Sequence, residues 1–190
     1  NKNLSHSQSL IKNTYFLHWK LIRLTKDTII KSFDCGDADL NDFILNDAKA
    51  FLSKRIAYTF LIIDGENIVA YFSLLNDKVA KTDAANNTWR KLRRSFPHEK
   101  HFSSYPAIKL GRFAVSKNYR SLGIGTKIMD YLKMLLFKSA SYSAFRFLTV
   151  DAYISAIPFY ERNGFKTLLP EEDDEHTRTM YFDILSLDES

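Results

Sequence analysis

The chain holds one cysteine among its 190 residues, Cys35. A single thiol excludes an intramolecular disulfide and any cysteine-cluster metal site, and it fits a reducing, cytoplasmic setting. Proline and glycine are scarce as well, four and six residues, and nowhere do they gather into a linker that would divide the chain. No apolar run approaches the roughly 20 residues needed to cross a bilayer. The longest runs, around Thr59–Ile63 and Ile68–Leu75, have the length of strands. The first residues, Asn1–Lys12, are polar and lack the apolar core of a signal peptide, so neither export nor membrane insertion is expected. No internal repeat or low-complexity tract is present. What remains is an ordinary globular composition, 45% hydrophobic and 26% charged, at a length that buries a core. We expect an N-terminal extension over residues 1–18 and one domain over residues 19–190.

Charge is unevenly spread. Between Asn87 and Arg120 stand nine basic residues (Arg90, Lys91, Arg93, Arg94, Lys100, Lys109, Arg112, Lys117 and Arg120) against one acid, Glu99. With a total of +5, that stretch is +8 and the rest of the chain −3. A basic segment inside a neutral-to-acidic protein is the footprint expected of a polyanionic ligand, and a solvated charged face is the alternative.

The hydrophobic pattern is mixed α/β. A strand is expected near Trp19–Leu24. A helix follows in which Leu40, Phe43, Ile44, Ala48, Phe51 and Leu52 recur at three- and four-residue steps, with Asp39 as its N-cap. Strand-like runs Ala57–Ile63 and Ile68–Leu75, joined by Asp64-Gly65-Glu66-Asn67, read as a hairpin. Residues Asp77–Tyr105 break the pattern, with a short helix around Thr88–Phe96 that Pro97 ends. A strand at Ala107–Val115, a helix from Gly125 to Ser139 and a strand at Ala144–Val150 form a βαβ crossover, which requires parallel pairing. A short helix at Ala156–Arg162, N-capped by Ser155, and strands at Phe165–Leu169 and Thr177–Leu185 complete the order.

Chemistry concentrates where the fourth strand turns into the long helix, Tyr119-Arg120-Ser121-Leu122-Gly123-Ile124-Gly125-Thr126. The glycines leave the backbone open, the first helical amides have no intrahelical partner, and the helix dipole is positive there. Such a helix start binds phosphate, and Arg120 adds charge. A tight βα turn is the plain structural alternative. No Gly-Lys-Ser/Thr follows, which argues against a P-loop, and the absence of a third glycine argues against a dinucleotide site.

Arg120-Ser121-Leu122-Gly123-Ile124-Gly125 resembles the R/Q-x-x-G-x-G/A pyrophosphate loop of the GNAT acetyltransferase superfamily. Phe159-Tyr160-Glu161-Arg162-Asn163-Gly164-Phe165 is similar to the family's F-Y-x-x-x-G-F signature, one helix and one strand downstream. The resemblance implies an α/β GNAT fold, with a mixed central sheet of six to seven strands flanked by helices and parallel strands splayed at the acetyl-CoA site. It implies acetyl-CoA as co-substrate, held by Phe113, Ala114 and Val115 through backbone groups and by Arg120, Ser121, Leu122, Gly123, Ile124, Gly125 and Thr126 at the loop. It also implies Tyr160 as general acid toward the departing thiolate, a homodimer, and no metal. No general base stands out; His98 and His101 read as isolated surface histidines.

Phe33-Asp34-Cys35-Gly36 with Asp39-Leu40-Asn41-Asp42-Phe43, and Ala70-Tyr71-Phe72-Ser73-Leu74, resemble segments of the Tac-type toxins, which acetylate the α-amino group of aminoacyl-tRNA. This second resemblance implies a tRNA acceptor, with Arg90, Arg93 and Arg94 on the RNA backbone, and an antitoxin partner. A small-molecule or protein amine is the broader expectation. A non-catalytic CoA-binding module is a third reading.

Overall fold

The computed structural model describes residues 18–94, 96, 102–120, 123–138, 143–169 and 175–188. Its strands are β1 (Lys20–Arg23), β2 (Tyr58–Asp64), β3 (Asn67–Ala80), β4 (Ser104–Val115), β5 (Phe147–Tyr153), β6 (Lys166–Thr167) and β7 (Thr177–Asp183). They hydrogen-bond in the order β1-β2-β3-β4-β5-β7-β6, the mixed seven-stranded sheet that the sequence leads one to expect. Helix α1 runs through Ala38–Asp42, a π-helical turn at Phe43–Asp47 and Ala48–Ser53. The others are α2 (Asn86–Arg94), α3 (Ile124–Lys138) and α4 (Ile157–Arg162). Packing divides the described residues into two compact units, one made of the chain up to Leu75 with Gly111–Leu135, the other of Asn76–Leu110 with the chain from Leu136 on.

In the first unit, β1, β2 and β3 are antiparallel, with Asp64 paired to Asn67 across the hairpin turn and a bulge between Ile62 and Ile63. Phe33, Phe43, Ile44, Ala48, Leu61, Tyr71 and Ala114 are buried together, and the Tyr71 hydroxyl donates to the Leu40 carbonyl at 2.6 Å. Burial on this scale contributes on the order of 2 kcal/mol for each large side chain. The N-cap of α1 is Asp37, not Asp39. Asp37 is extended (φ −115, ψ 120) and its carboxylate accepts from Leu40 N at 3.0 Å, whereas Asp39 already lies in the first turn. Two aspartates in this stretch suit the cap chemically, and the backbone conformation decides between them.

In the second unit, β4 and β5 pair in parallel over Ala107↔Phe147, Ile108↔Leu148 and Lys109↔Thr149. β5 then pairs antiparallel with β7 along its whole length. The expected break at Asp77–Tyr105 is more ordered than its composition suggests. β3 continues to Ala80, and α2 is docked on the core by Trp89 and Leu92, both buried. Trp89 lies 5.3 Å from the Tyr105 ring, and Phe96 stacks on Tyr105. Pro97 lies outside the described residues. Trp89→Ala is expected to cost about 3–5 kcal/mol of stability, read as a lower denaturation midpoint. A loss under 1 kcal/mol would show that α2 is not packed as described.

β5 begins three residues later than expected and runs on through Asp151. The carboxylate is accommodated because Lys109 Nζ lies 2.8 Å from one of its oxygens and the Thr179 hydroxyl donates to the other at 3.0 Å. The N-terminus of α4 carries Ala156, with no side-chain cap, in place of the expected Ser155; Pro158 sits in its first turn. Asn163 and Gly164 end the helix as expected, with Gly164 in the left-handed region (φ +84).

Candidate active site

The predicted site residues divide between the two units. In the first, Phe113, Ala114 and Val115 form the end of β4; Ala114 is buried in the aromatic core and its two neighbours are half-buried. The Ser116 amide donates to the Val69 carbonyl at 2.9 Å, fixing the strand end. One 3₁₀ turn, Lys117–Tyr119, leads to Arg120. Ser121 and Leu122 lie outside the described residues. Gly123 is left-handed (φ +69), and an added Cβ would meet nothing within 4 Å. The glycine is therefore required by its dihedral angles and not by crowding.

The first described intrahelical bond of α3 runs from the Lys127 amide to the Gly123 carbonyl, 3.1 Å. The amides of Ile124, Gly125 and Thr126 precede it and have no helical acceptor among the described residues. They stand at the positive end of a 15-residue helix. This arrangement fits a phosphate-bearing ligand. Gly123→Val is expected to cost about 1–2 kcal/mol for the forced left-handed residue and to weaken such a ligand's binding, as calorimetry would record. Wild-type affinity in that variant would remove the turn from the binding site. Arg120 is exposed, and its guanidinium donates to the Cys35 backbone carbonyl.

In the second unit, Tyr160 sits on α4 and is buried. Its ring meets Phe159 and Phe165 edge-to-face, each at 5.3 Å. Its hydroxyl makes no hydrogen bond among the described residues. Burial alone raises the phenol's pKa well above the ordinary tyrosine value. The group is a protonated donor without an acceptor among the described residues.

The basic stretch resolves into two kinds of cation. Lys109 pairs with Asp151, Arg112 lies 3.9 Å from Asp39, and Lys117 pairs with Asp34 at 3.0 Å. These charges are matched within the protein. Burial works to lower the Lys109 ammonium's pKa, yet its hydrogen bond to Asp151 and the charges of Asp151 and Asp77 outweigh that and raise it. Arg90, Lys91, Arg93 and Arg94 are exposed on α2, on the side away from Trp89 and Leu92. His98, Lys100 and His101 lie outside the described residues.

Sequence reasoning missed a polar row on one face of the second unit. Asp77 accepts from the Thr149 hydroxyl at 2.5 Å and lies 3.9 Å from Lys109, which reaches Asp151 and so links the row to Thr179. The available signal was a carboxylate just past the end of each of two strand-like runs, since a half-buried charge on a strand calls for a cross-strand partner.

The family model for the acetyltransferase (GNAT) domain matches residues 57–167. Among solved structures, AtaT complexed with acetyl-methionyl-tRNAfMet is similar with a TM-score of 0.73 and 19% identity, over 90% of this chain and 97% of that one. AtaTR bound with AcCoA gives 0.71 and 20%, over 90% and 96%. A mutant of the AtaT toxin bound to the C-terminus of the antitoxin AtaR gives 0.67 and 17%, over 90% and 96%. At these identities the likeness is one of fold.

Proposed function

The chain belongs to the GNAT acetyltransferase family, and from that premise we propose that it transfers the acetyl group of acetyl-CoA to a primary amine, with Tyr160 as general acid. The observation that carries this reading is the family match itself, because both the Arg120–Thr126 turn and Tyr160 fall inside residues 57–167. Acetyl-CoA supplies an activated thioester. The chain's own part is to hold and orient it. The open amides of Ile124, Gly125 and Thr126 take the pyrophosphate, and the backbone of Phe113, Ala114 and Val115 holds the pantetheine arm and the thioester carbonyl. A backbone N–H on that strand stabilises negative charge developing on the oxygen. Tyr160 keeps its proton at neutral pH and gives it to the sulfur, whose conjugate acid lies near 8.5. An acceptor near pKa 8, such as an α-amino group, is already partly neutral at pH 7.5 and needs no dedicated base.

The test is release of free thiol from acetyl-CoA in the presence of candidate amines, with the acetylated product identified by mass spectrometry. Amide formation supports the reading. Tight CoA binding without transfer to any amine supports a non-catalytic CoA-binding module instead.

A second reading of the acceptor rests on the exposed basic face of α2. Arg90, Arg93 and Arg94 there suit an RNA phosphate backbone, and the acceptor is then the α-amino group of an aminoacyl-tRNA. The AtaT complex with an acetylated, methionine-charged tRNA supports this reading. The AtaT–AtaR complex likewise supports an antitoxin as a partner.

A further inference from the structure

One motif of the sequence has no part in the chemistry above: Phe33-Asp34-Cys35-Gly36, with Asn41 five residues on. Its polar groups converge on the turn that leads into the glycine loop. The Lys117 amide donates to the Asp34 carbonyl at 2.9 Å, and Lys117 Nζ donates to Asp34 Oδ2 at 3.0 Å. The Arg120 guanidinium donates to the Cys35 carbonyl. The segment is itself braced for this. Asp34 Oδ1 accepts from the Gly36 amide at 2.7 Å and from Asn41 Nδ2 at 3.0 Å, while Asn41 Oδ1 accepts from the Cys35 amide at 2.8 Å.

Gly36 fits this arrangement in two ways. It is left-handed (φ +82), and an added Cβ would stand 2.8 Å from Lys117 Cε. Asp34 is held strongly in its charged form, its pKa lowered to about 2 by the Lys117 hydrogen bond first, then by the Gly36 amide and Asn41. A group depressed in this way keeps its interaction at all pH values above the ordinary carboxylate range and loses it only as pH falls toward about 2. Protonation of Asp34 therefore does not open the clasp at neutral pH.

Backbone amides bind a phosphate well only if they are already in place, because ordering them on binding subtracts from affinity. We propose that Asp34, Gly36 and Asn41 form a clasp whose role is to position the Ser116–Arg120 turn, and so the amides that follow it, for the CoA pyrophosphate. In this arrangement Lys117 and Arg120 act as positioning residues and not as direct ligands of the phosphate. The inference rests on the reading of the glycine loop as the pyrophosphate site.

The test compares affinities for CoA and for pantetheine, which carries the same arm without pyrophosphate. Wild-type protein should bind CoA far more tightly than pantetheine. Asp34→Ala and Gly36→Ala should weaken CoA about tenfold or more by loss of preorganisation, with pantetheine affinity unchanged. Asp34→Asn should fall between, since its amide oxygen still accepts from Gly36 while the ion pair with Lys117 is gone. Lys117→Met, which leaves the two other contacts of the Asp34 carboxylate in place, serves as the mild variant if Asp34→Ala folds poorly, and it should show a smaller loss of the same selectivity. Wild-type CoA affinity in the variants would overturn the clasp, and so would an equal loss for both ligands, which is the mark of general structural damage. If the wild type itself fails to distinguish CoA from pantetheine, the pyrophosphate reading of the loop falls, and the clasp falls with it.

Discussion

Tyr160→Phe is expected to lower the rate of acetyl transfer by about 100-fold or more while leaving CoA affinity within about twofold, because general acid catalysis commonly contributes 10²–10⁴. The substitution keeps the ring that meets Phe159 and Phe165 and removes only a hydroxyl without a protein hydrogen-bond partner among the described residues. Stability should therefore hardly change. Burial raises the phenol's pKa, so the acid stays protonated across the working range and its loss produces no alkaline limb below about pH 10. The rate should rise with pH only as the acceptor amine loses its proton. The Phe variant should keep that ascending limb at reduced amplitude. A variant with wild-type rate would leave Tyr160 as a packing residue, and a limb descending between pH 8 and 9 would assign the acid role to another group.

Replacing Arg90, Arg93 and Arg94 together by glutamine should abolish acetylation of charged tRNA if α2 lies on an RNA backbone, while transfer to a small amine continues. Each phosphate contact removed should reduce the slope of log affinity against log salt by about 0.7–0.9. All three residues are exposed on a helix whose buried side is Trp89 and Leu92, so the fold should survive to within about 0.5 kcal/mol. Equal loss with both acceptors would place these arginines in general acetyl transfer and not in RNA binding. Unchanged tRNA acetylation would return the basic face to simple solvation.

The long-range organisation was legible from the chain because it depends on pattern. Apolar spacing located α1 and α3, the Asp64–Asn67 turn located the hairpin, and the two glycine-bearing motifs carried the resemblance to the family whose model matches residues 57–167. What was not legible depends on partners distant in sequence. Asp151 looks like a strand terminator until Lys109, on a neighbouring strand, neutralises it. The basic stretch looks like a single footprint until Asp151, Asp39 and Asp34 come beside Lys109, Arg112 and Lys117. Asp37 and Asp39 are chemically equal as caps, and only the extended backbone at Asp37 separates them. The Arg120 guanidinium, expected at a phosphate, also donates to the Cys35 carbonyl. A charge count cannot reveal that.

The most direct test of acetyl transfer incubates the protein with acetyl-CoA, a pool of charged tRNAs and a panel of small amines and peptide N-termini, and identifies acetylated products by mass spectrometry beside Tyr160→Phe. The account predicts an N-acetylated primary amine in at least one class, with its formation strongly reduced in the variant. Tight CoA binding with no acetylated product in any class, or a product formed equally by both proteins, would contradict it.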